Sequence, residues 1–190
     1  MRKFFATFAV NVFLPFEQPQ PLILYKKMSE TNFYKIRRQD RILNDERVIE
    51  LLQHAEYGFL SLGESGNGYA YGIPINFVYS VTDNALYFHC ALEGHKLDNL
   101  KRNNKVAFCV VGNTKILSEK FSTLYESVIV FGQAEIAQTD EDKHFALRKL
   151  IEKYAPHHLE AGEYYIESDK HKTLIFKINI EYVTGKTRRS

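Results

Sequence analysis

The chain has little cysteine, no tryptophan and no long uninterrupted apolar run. Two cysteines, Cys90 and Cys109, cannot build a disulfide framework in 190 residues, so we expect free thiols and a cytoplasmic location. No window approaches the roughly 18 consecutive apolar residues that a membrane-spanning helix needs, so we expect no membrane partner. The net charge of +2 is too small to indicate nucleic-acid binding.

Ring side chains are abundant instead, with 12 tyrosines and 14 phenylalanines. Strands favour these residues, so the composition favours a sheet protein. A chain of this length suits one globular domain with a sizeable core.

The N-terminal segment is unlike the rest of the chain. It is basic at first and then apolar, as in a signal peptide, but Asn11 and Pro15 interrupt the apolar run and the small-residue cleavage pattern is missing. We therefore predict that residues 1–33 form an extension, with the natural start at Met28, and that residues 34–190 form a single domain. An export signal and an ordered N-terminal segment are the alternatives.

Patterning predicts three helices and about six strands. Helical spacing of apolar residues marks segments 44–55, 94–103 and 139–155, the last with Thr139 as its cap and an apolar stripe of Leu147, Leu150, Ile151 and Tyr154. The β-prone segments are 57–62, 69–80, 86–90, 105–112, 122–138 and 173–183.

The order of these segments predicts the fold class. They do not alternate regularly between strand and helix, and no G-x-G-x-x-G follows a strand, which disfavours a Rossmann fold. We predict a mainly β protein in which six antiparallel strands form a small barrel with flanking helices. Pro74 should place its strand at an edge or a bulge, and Gly132 should mark a bulge or a close contact.

The segment "YFHCALEGHK" (87–96) is the first candidate site. Gly94 precedes a predicted helix, and His95 and Lys96 lie in its first turn. A helix N-terminus attracts anions and disfavours cations, so Lys96 there indicates an anion such as a phosphate. The alternative is that Lys96 extends into solvent.

His89 and Cys90 are neighbours on a strand and so point to opposite faces. If Cys90 packs in the core, His89 faces the barrel rim. This opposition argues against a metal site made of His89, Cys90 and His95, and we expect no metal.

The segment "GIPINFVY" (72–79) is the second candidate. A strand interrupted by Pro74 should leave backbone N–H and C=O groups without ladder partners, and these groups must be satisfied. A planar ring system with donors and acceptors along one edge would do this, aided by the amide of Asn76. The alternative is a simple edge strand with a bulge.

Five segments occur in an order that resembles one superfamily. They are "RRQDR" (37–41), "YGIPINFVY" (71–79), "YFHCALEGHKLDNL" (87–100), "YESVIVFGQAE" (125–135) and "YVTGK" (182–186). Together they resemble the FMN-binding split-barrel superfamily of pyridoxamine 5′-phosphate oxidase, and within it the Nim group of 5-nitroimidazole-resistance proteins. The resemblance implies a homodimer of six-stranded split barrels, with FMN, or FAD as an alternative, in grooves at the subunit interface.

The resemblance also implies which residues contact the flavin. Lys96 with His95 would meet the flavin phosphate next to Gly94, where the pyridoxamine oxidases carry an Arg-Lys pair. His89 matches the histidine proposed to act at the Nim active site. The remaining implied contacts border the flavin ring or close its groove: Pro74, Ile75, Asn76, Phe77, Val78, Cys90 and Gln133.

These observations predict a flavin-dependent oxidoreductase. It would take electrons from a reduced donor and pass them to a small aromatic or nitro-aromatic acceptor, with His89 supplying a proton. The substrate-phosphate residues of a true pyridoxamine phosphate oxidase are not evident, which argues against that exact activity. The alternative is a non-catalytic flavin- or haem-binding protein, in which His89 or His95 could be an axial ligand.

Overall fold

The computed structural model describes residues 33–64, 66–137 and 139–189. The predicted N-terminal extension, with its start at Met28, lies outside the described residues apart from Phe33. The ring of Phe33 stacks on that of Tyr182, with 4.7 Å between the centroids.

The described residues form one antiparallel sheet of seven strands, in the spatial order β2-β1-β5-β6-β7-β4-β3, with four α-helices. Their bounds are α1 Asp45–His54, β1 Tyr57–Glu64, β2 Ala70–Asn76, β3 Val78–Ser80, β4 Ala85–Cys90, α2 His95–Arg102, β5 Lys105–Leu117, β6 Ser122–Ile136, α3 Asp140–Tyr154, α4 Leu159–Asp169 and β7 Leu174–Arg188.

The two outermost strands of the sheet are consecutive in the chain. Only Phe77 separates β2 from β3, so the two edges of the sheet meet at this residue and the sheet curls into a split barrel. The predicted mainly β barrel with flanking helices is confirmed. The strand count is seven rather than six because the single strand predicted over 69–80 divides at Phe77.

The barrel has an inner core and a smaller outer one. Four buried rings fill much of the interior: Phe88 stacks on Phe176 at 4.8 Å, and Phe77 meets Phe108 edge-on at 4.8 Å. Outside the sheet, α3 covers β3, β4 and β7 through a second cluster made of Val78, Ala85, Tyr87, Ala146, Leu150 and Ile175. The alternation of β4 therefore divides its side chains between two buried surfaces.

All three predicted helices are present, and the predicted cap of the third is confirmed. Thr139 Oγ1 accepts a hydrogen bond from the backbone N–H of Asp142 at 3.1 Å. Helix α4 was not predicted. Its N-cap, His158, makes no side-chain capping bond, and Gly162 lies in its interior. It packs against α3, where the side chain of Ile151 lies against Gly162, and Arg148 of α3 pairs with Glu163 at 2.8 Å on the surface.

Two expectations about the strands are confirmed. Pro74 lies on β2, which is an edge strand in the described part of the chain and pairs there with β1. Its missing N–H therefore costs no ladder bond on the open edge. At Gly132 the register shifts, and Glu181 of β7 becomes the extra residue of a bulge. Both cysteines are free thiols. In the described part of the chain, no helix is long and apolar enough to cross a bilayer.

Candidate functional site

His89 lies on the outer face of β4, in line with Ala85 and Tyr87. Those two side chains are buried under α3. His89 lies at the edge of the region that α3 covers, and it is exposed. Among the described residues, its imidazole has no hydrogen-bond partner. Cys90 points inward and packs against the inner core. The two side chains therefore lie on opposite faces of β4, as the alternation predicted.

The surroundings of His89 favour its neutral form. Partial burial lowers the pKa of the imidazole, and the positive charge of Lys96 lowers it further. A neutral imidazole donates at one nitrogen and accepts at the other, so His89 can meet either kind of polar partner. Burial has the opposite effect on Cys90, where it raises the pKa of the thiol and keeps it protonated.

The N-terminus of α2 leaves backbone donors open. Gly94 caps it with φ +136, a conformation that L side chains rarely adopt. The Gly94 carbonyl accepts from the N–H groups of Leu97 at 2.9 Å and Asp98 at 3.2 Å. The N–H groups of His95 and Lys96 have no acceptor in this turn. Apart from Gly94 and its two chain neighbours, no described residue has an atom within 4 Å of the position that a Cβ on Gly94 would occupy.

The side chain of Lys96 adds positive charge at this point. Its Nζ lies 6.0 Å from the centroid of the Phe176 ring, and no described carboxylate forms an ion pair with it. The ring of His95 packs on Tyr71, with 4.2 Å between centroids. Open donors, an unpaired ammonium group and free space above Gly94 together suit an anion.

The backbone groups at the strand break are satisfied by the protein itself, which corrects the prediction for "GIPINFVY". The break lies at Phe77, not at Pro74. The Phe77 N–H donates to the Tyr154 hydroxyl at 3.0 Å, and its carbonyl accepts from Lys153 Nζ at 2.9 Å. Helix α3 thus supplies the partners of the Phe77 backbone groups.

The predicted ring-contacting residues of this segment differ in accessibility. Pro74 and Asn76 are exposed, Ile75 is half-buried, and Phe77 and Val78 are buried in the inner and outer cores. The Nδ2 of Asn76 donates to the Glu56 carbonyl at 2.9 Å, while its Oδ1 accepts no hydrogen bond from a described residue. Among residues 74–78, Asn76 therefore offers an exposed side-chain oxygen that can accept a hydrogen bond.

Lys153 and Tyr154 were not predicted as functional residues. Tyr154 belonged to the predicted apolar stripe of α3, and Lys153 borders that stripe. Both reach the strand break: Lys153 Nζ lies 4.1 Å from the centroid of the Phe77 ring, and the Tyr154 hydroxyl lies 2.7 Å from the Glu56 carbonyl. The signal available in the sequence was that Tyr154, within the apolar stripe, and Lys153, next to it, both end in polar groups.

Burial lowers the pKa of Lys153 to about 8. Between this value and the ordinary lysine value, the unfolded chain binds more protons, so this group makes stability rise with pH. Relative to Lys153→Met, the wild-type free energy of unfolding should increase by about 1–2 kcal/mol from pH 7.5 to pH 9.5. Urea unfolding at both pH values measures this difference.

Lys149→Met is the matched control, because Lys149 lies on the same helix and pairs with Glu152 at 2.9 Å on the surface. It should follow the wild-type pH dependence. A Lys153→Met protein that follows it equally well would contradict the assignment of a half-buried ammonium group with a lowered pKa.

A cavity of about 400 Å³ lies beside His89 and Asn76, between α3 and α4. Four of its lining residues are the predicted stripe of α3: Leu147, Leu150, Ile151 and Tyr154. The stripe therefore forms a cavity wall as well as core packing.

Gln133 is not brought to this place within one chain. It faces Asn179 on β7, and Asn179 faces Ala85, which is four residues from His89 along β4. At the rise of a strand, this separation is about 13 Å. The described residues contain no cluster of three or more His, Cys, Asp or Glu that could hold a metal ion.

Comparison with protein families gives one match, to the family described as pyridoxamine 5′-phosphate oxidase, over residues 44–187. No curated protein matches the chain.

Solved structures share the fold. A candidate 5-nitroimidazole antibiotic resistance protein from Bacteroides thetaiotaomicron is 25% identical over 77% of this chain and 86% of its own, with a TM-score of 0.65. The FAD and haem binding protein from Mycobacterium smegmatis is 20% identical over 80% of this chain and 75% of its own, with a TM-score of 0.69. A flavocytochrome from Azotobacter vinelandii is 18% identical over 85% of this chain and 75% of its own, also with a TM-score of 0.69.

Proposed function

The chain belongs to the pyridoxamine 5′-phosphate oxidase family, and we propose that it is a flavin-dependent oxidoreductase. In this proposal it binds FMN at the interface of a homodimer. It takes electrons from a reduced donor and reduces a small aromatic or nitro-aromatic acceptor. The observation that carries the proposal is the unpaired Lys96 at the open N-terminus of α2, close enough to His89 to lower its pKa.

The donor set at α2 fits a flavin phosphate. The N–H groups of His95 and Lys96 and the Lys96 ammonium group can all donate to phosphate oxygens. Space above Gly94 lets an anion approach the backbone closely. A terminal phosphate monoester, as in FMN, can use all of these donors, and FAD is the alternative.

A bound flavin would supply the redox chemistry, since it can hold the electrons that pass from donor to acceptor. His89 would hold the proton. The protonated imidazole donates from a ring nitrogen to the acceptor, and the exposed side chain can recover a proton from water. Lys153 and Tyr154 would act by holding the Phe77 backbone, and with it the neighbouring Asn76.

The homodimer is supported by exposed apolar side chains on the β5–β6 hairpin. Val111 is 62% exposed, Ile116 77% and Phe121 98%. Contact with a second copy would remove these apolar side chains from water, which is favourable. It would also account for Gln133, which would serve the flavin groove of the partner rather than that of its own chain.

The absorption spectrum of the purified protein tests this function directly. We expect yellow flavin bands, and denaturation should release free FMN that can be identified by chromatography. A Soret band would instead favour the haem-binding alternative, which is supported by the likeness of the fold to the FAD and haem binding protein from Mycobacterium smegmatis. A colourless protein that takes up neither FMN nor FAD would contradict the proposal.

A further inference from the structure

The cavity beside His89 has a largely apolar wall. The stripe of α3 forms one side, and α4 contributes Tyr165 and Ile166 on the other. Its volume, about 400 Å³, is in the range of pockets that hold small organic ligands. Such a wall favours a ligand with an apolar body.

Unused polar groups are found on the sheet side of the cavity. His89 faces Ile175 on β7, so Thr173, two residues earlier, lies diagonally from His89 on the same face. His89, Thr173 and Asn76 all line the cavity. Among the described residues, none hydrogen-bonds to the His89 imidazole, the Thr173 hydroxyl or Asn76 Oδ1. These groups can bind a polar substituent on an otherwise apolar ligand.

The charged residues of the cavity are already paired with residues outside it. Lys170 pairs with Glu167 at 2.9 Å, and Asp169 pairs with Lys172. A ligand therefore meets no unbalanced charge on this wall, and a charged ligand would be desolvated without compensation.

We propose that this cavity is the acceptor site, and that it takes an uncharged, flat aromatic molecule whose polar substituent meets His89 and Asn76. The inference rests on the proposed function, because it places the acceptor beside the group that supplies the proton. It adds three binding residues that the sequence analysis did not identify: Tyr165 and Ile166 on α4, and Thr173 at the start of the strand predicted over 173–183.

The test uses nitrobenzene as the probe and measures its dissociation constant by NMR titration on the full chain, with and without added FMN. Tyr165 is 66% exposed at the cavity, so Tyr165→Ala should leave the fold intact. It should weaken nitrobenzene binding by about 5- to 10-fold through loss of ring contact.

Tyr164→Ala is the matched control. Tyr164 is 79% exposed on the same helix and does not line the cavity. It should change the dissociation constant by less than about twofold. Equal effects of the two variants, or no effect of either, would overturn the site.

The methyl signals of the wild-type protein give a second measurement. Nitrobenzene should shift those of Ile151 and Ile166, which line the cavity, and leave that of Ile116 on the distant hairpin unchanged. The opposite pattern would overturn the site.

The outcomes separate this inference from the proposed function. If FMN binds but Tyr165→Ala has no effect on nitrobenzene, the cavity assignment is wrong and the flavin proposal stands. If the cavity binds nitrobenzene as described but the protein takes up no flavin, the cavity assignment stands as a binding site and the oxidoreductase proposal is wrong.

Discussion

His89→Ala is expected to slow reduction of a nitro-aromatic acceptor by about 100-fold or more while flavin binding persists. A positioned general acid contributes roughly 10²- to 10⁴-fold to a rate, and the imidazole has no structural hydrogen bond to lose among the described residues. The measurement is a stopped-flow experiment in which FMN on the protein is photoreduced and nitrobenzene is then added. This removes any need for the natural electron donor.

The pH dependence makes this prediction more specific. Burial and Lys96 lower the pKa of His89, so the proton-donating imidazolium form becomes abundant only below the ordinary histidine range. The wild-type rate should therefore rise as the pH falls through that lowered pKa. In His89→Ala the rise should be absent.

His54→Ala is the control, because His54 is exposed at the end of α1 and lies away from the cavity. It should keep the wild-type rate and pH profile. If His89→Ala instead loses the flavin, with no separate effect on rate, then His89 holds the cofactor and is not the proton donor.

Lys96→Ala is expected to weaken FMN binding by about 10- to 100-fold. The substitution removes a charge-assisted contact to phosphate, which contributes roughly 1.5–3 kcal/mol. Quenching of FMN fluorescence on titration with flavin-free protein measures the dissociation constant. The effect should shrink at high salt, because added ions screen the interaction.

Lys101→Ala is the control for charge. It removes one positive charge from the other end of the same helix, where a cation already suits the helix dipole. Its FMN affinity should stay within about twofold of wild type. Unchanged FMN affinity in Lys96→Ala would contradict an anion site at the start of α2.

The helix at 140–154 shows how local signals predicted a large part of the structure. The Thr139 cap and the stripe at helical spacing predicted where α3 begins and which side of it faces the rest of the protein. That side proved to face both the outer core and the cavity. Segment "YFHCALEGHK" was equally informative, since alternation placed His89 and Cys90 on opposite faces, and Gly94 marked the start of α2.

The strand break shows where local signals failed. Pro74 was the expected point of interruption, but proline is compatible with an edge strand and the pairing of β2 continues through it. The break at Phe77 arises because the two edges of the sheet meet there, which depends on all seven strands. Its partners, Lys153 and Tyr154, are 76 and 77 residues away in sequence.

Helix α4 is a similar case. Its local signals are weak, because Gly162 lies in its interior and its N-cap residue, His158, makes no side-chain capping bond. Contacts with α3 supply the stability that the local sequence lacks. Because α4 was not predicted, neither was the cavity between the two helices.

The sequence by itself determined the β-rich class, the alternation of β4, the α3 stripe and the cationic start of α2, because each depends on residues within a few positions of one another. Only the tertiary structure decided that the sheet breaks at Phe77, that α3 satisfies the broken backbone, and that His89, Asn76 and Thr173 line one cavity. The physical reason is that these arrangements join residues far apart in the chain, and barrel closure and helix packing, not local preference, select them.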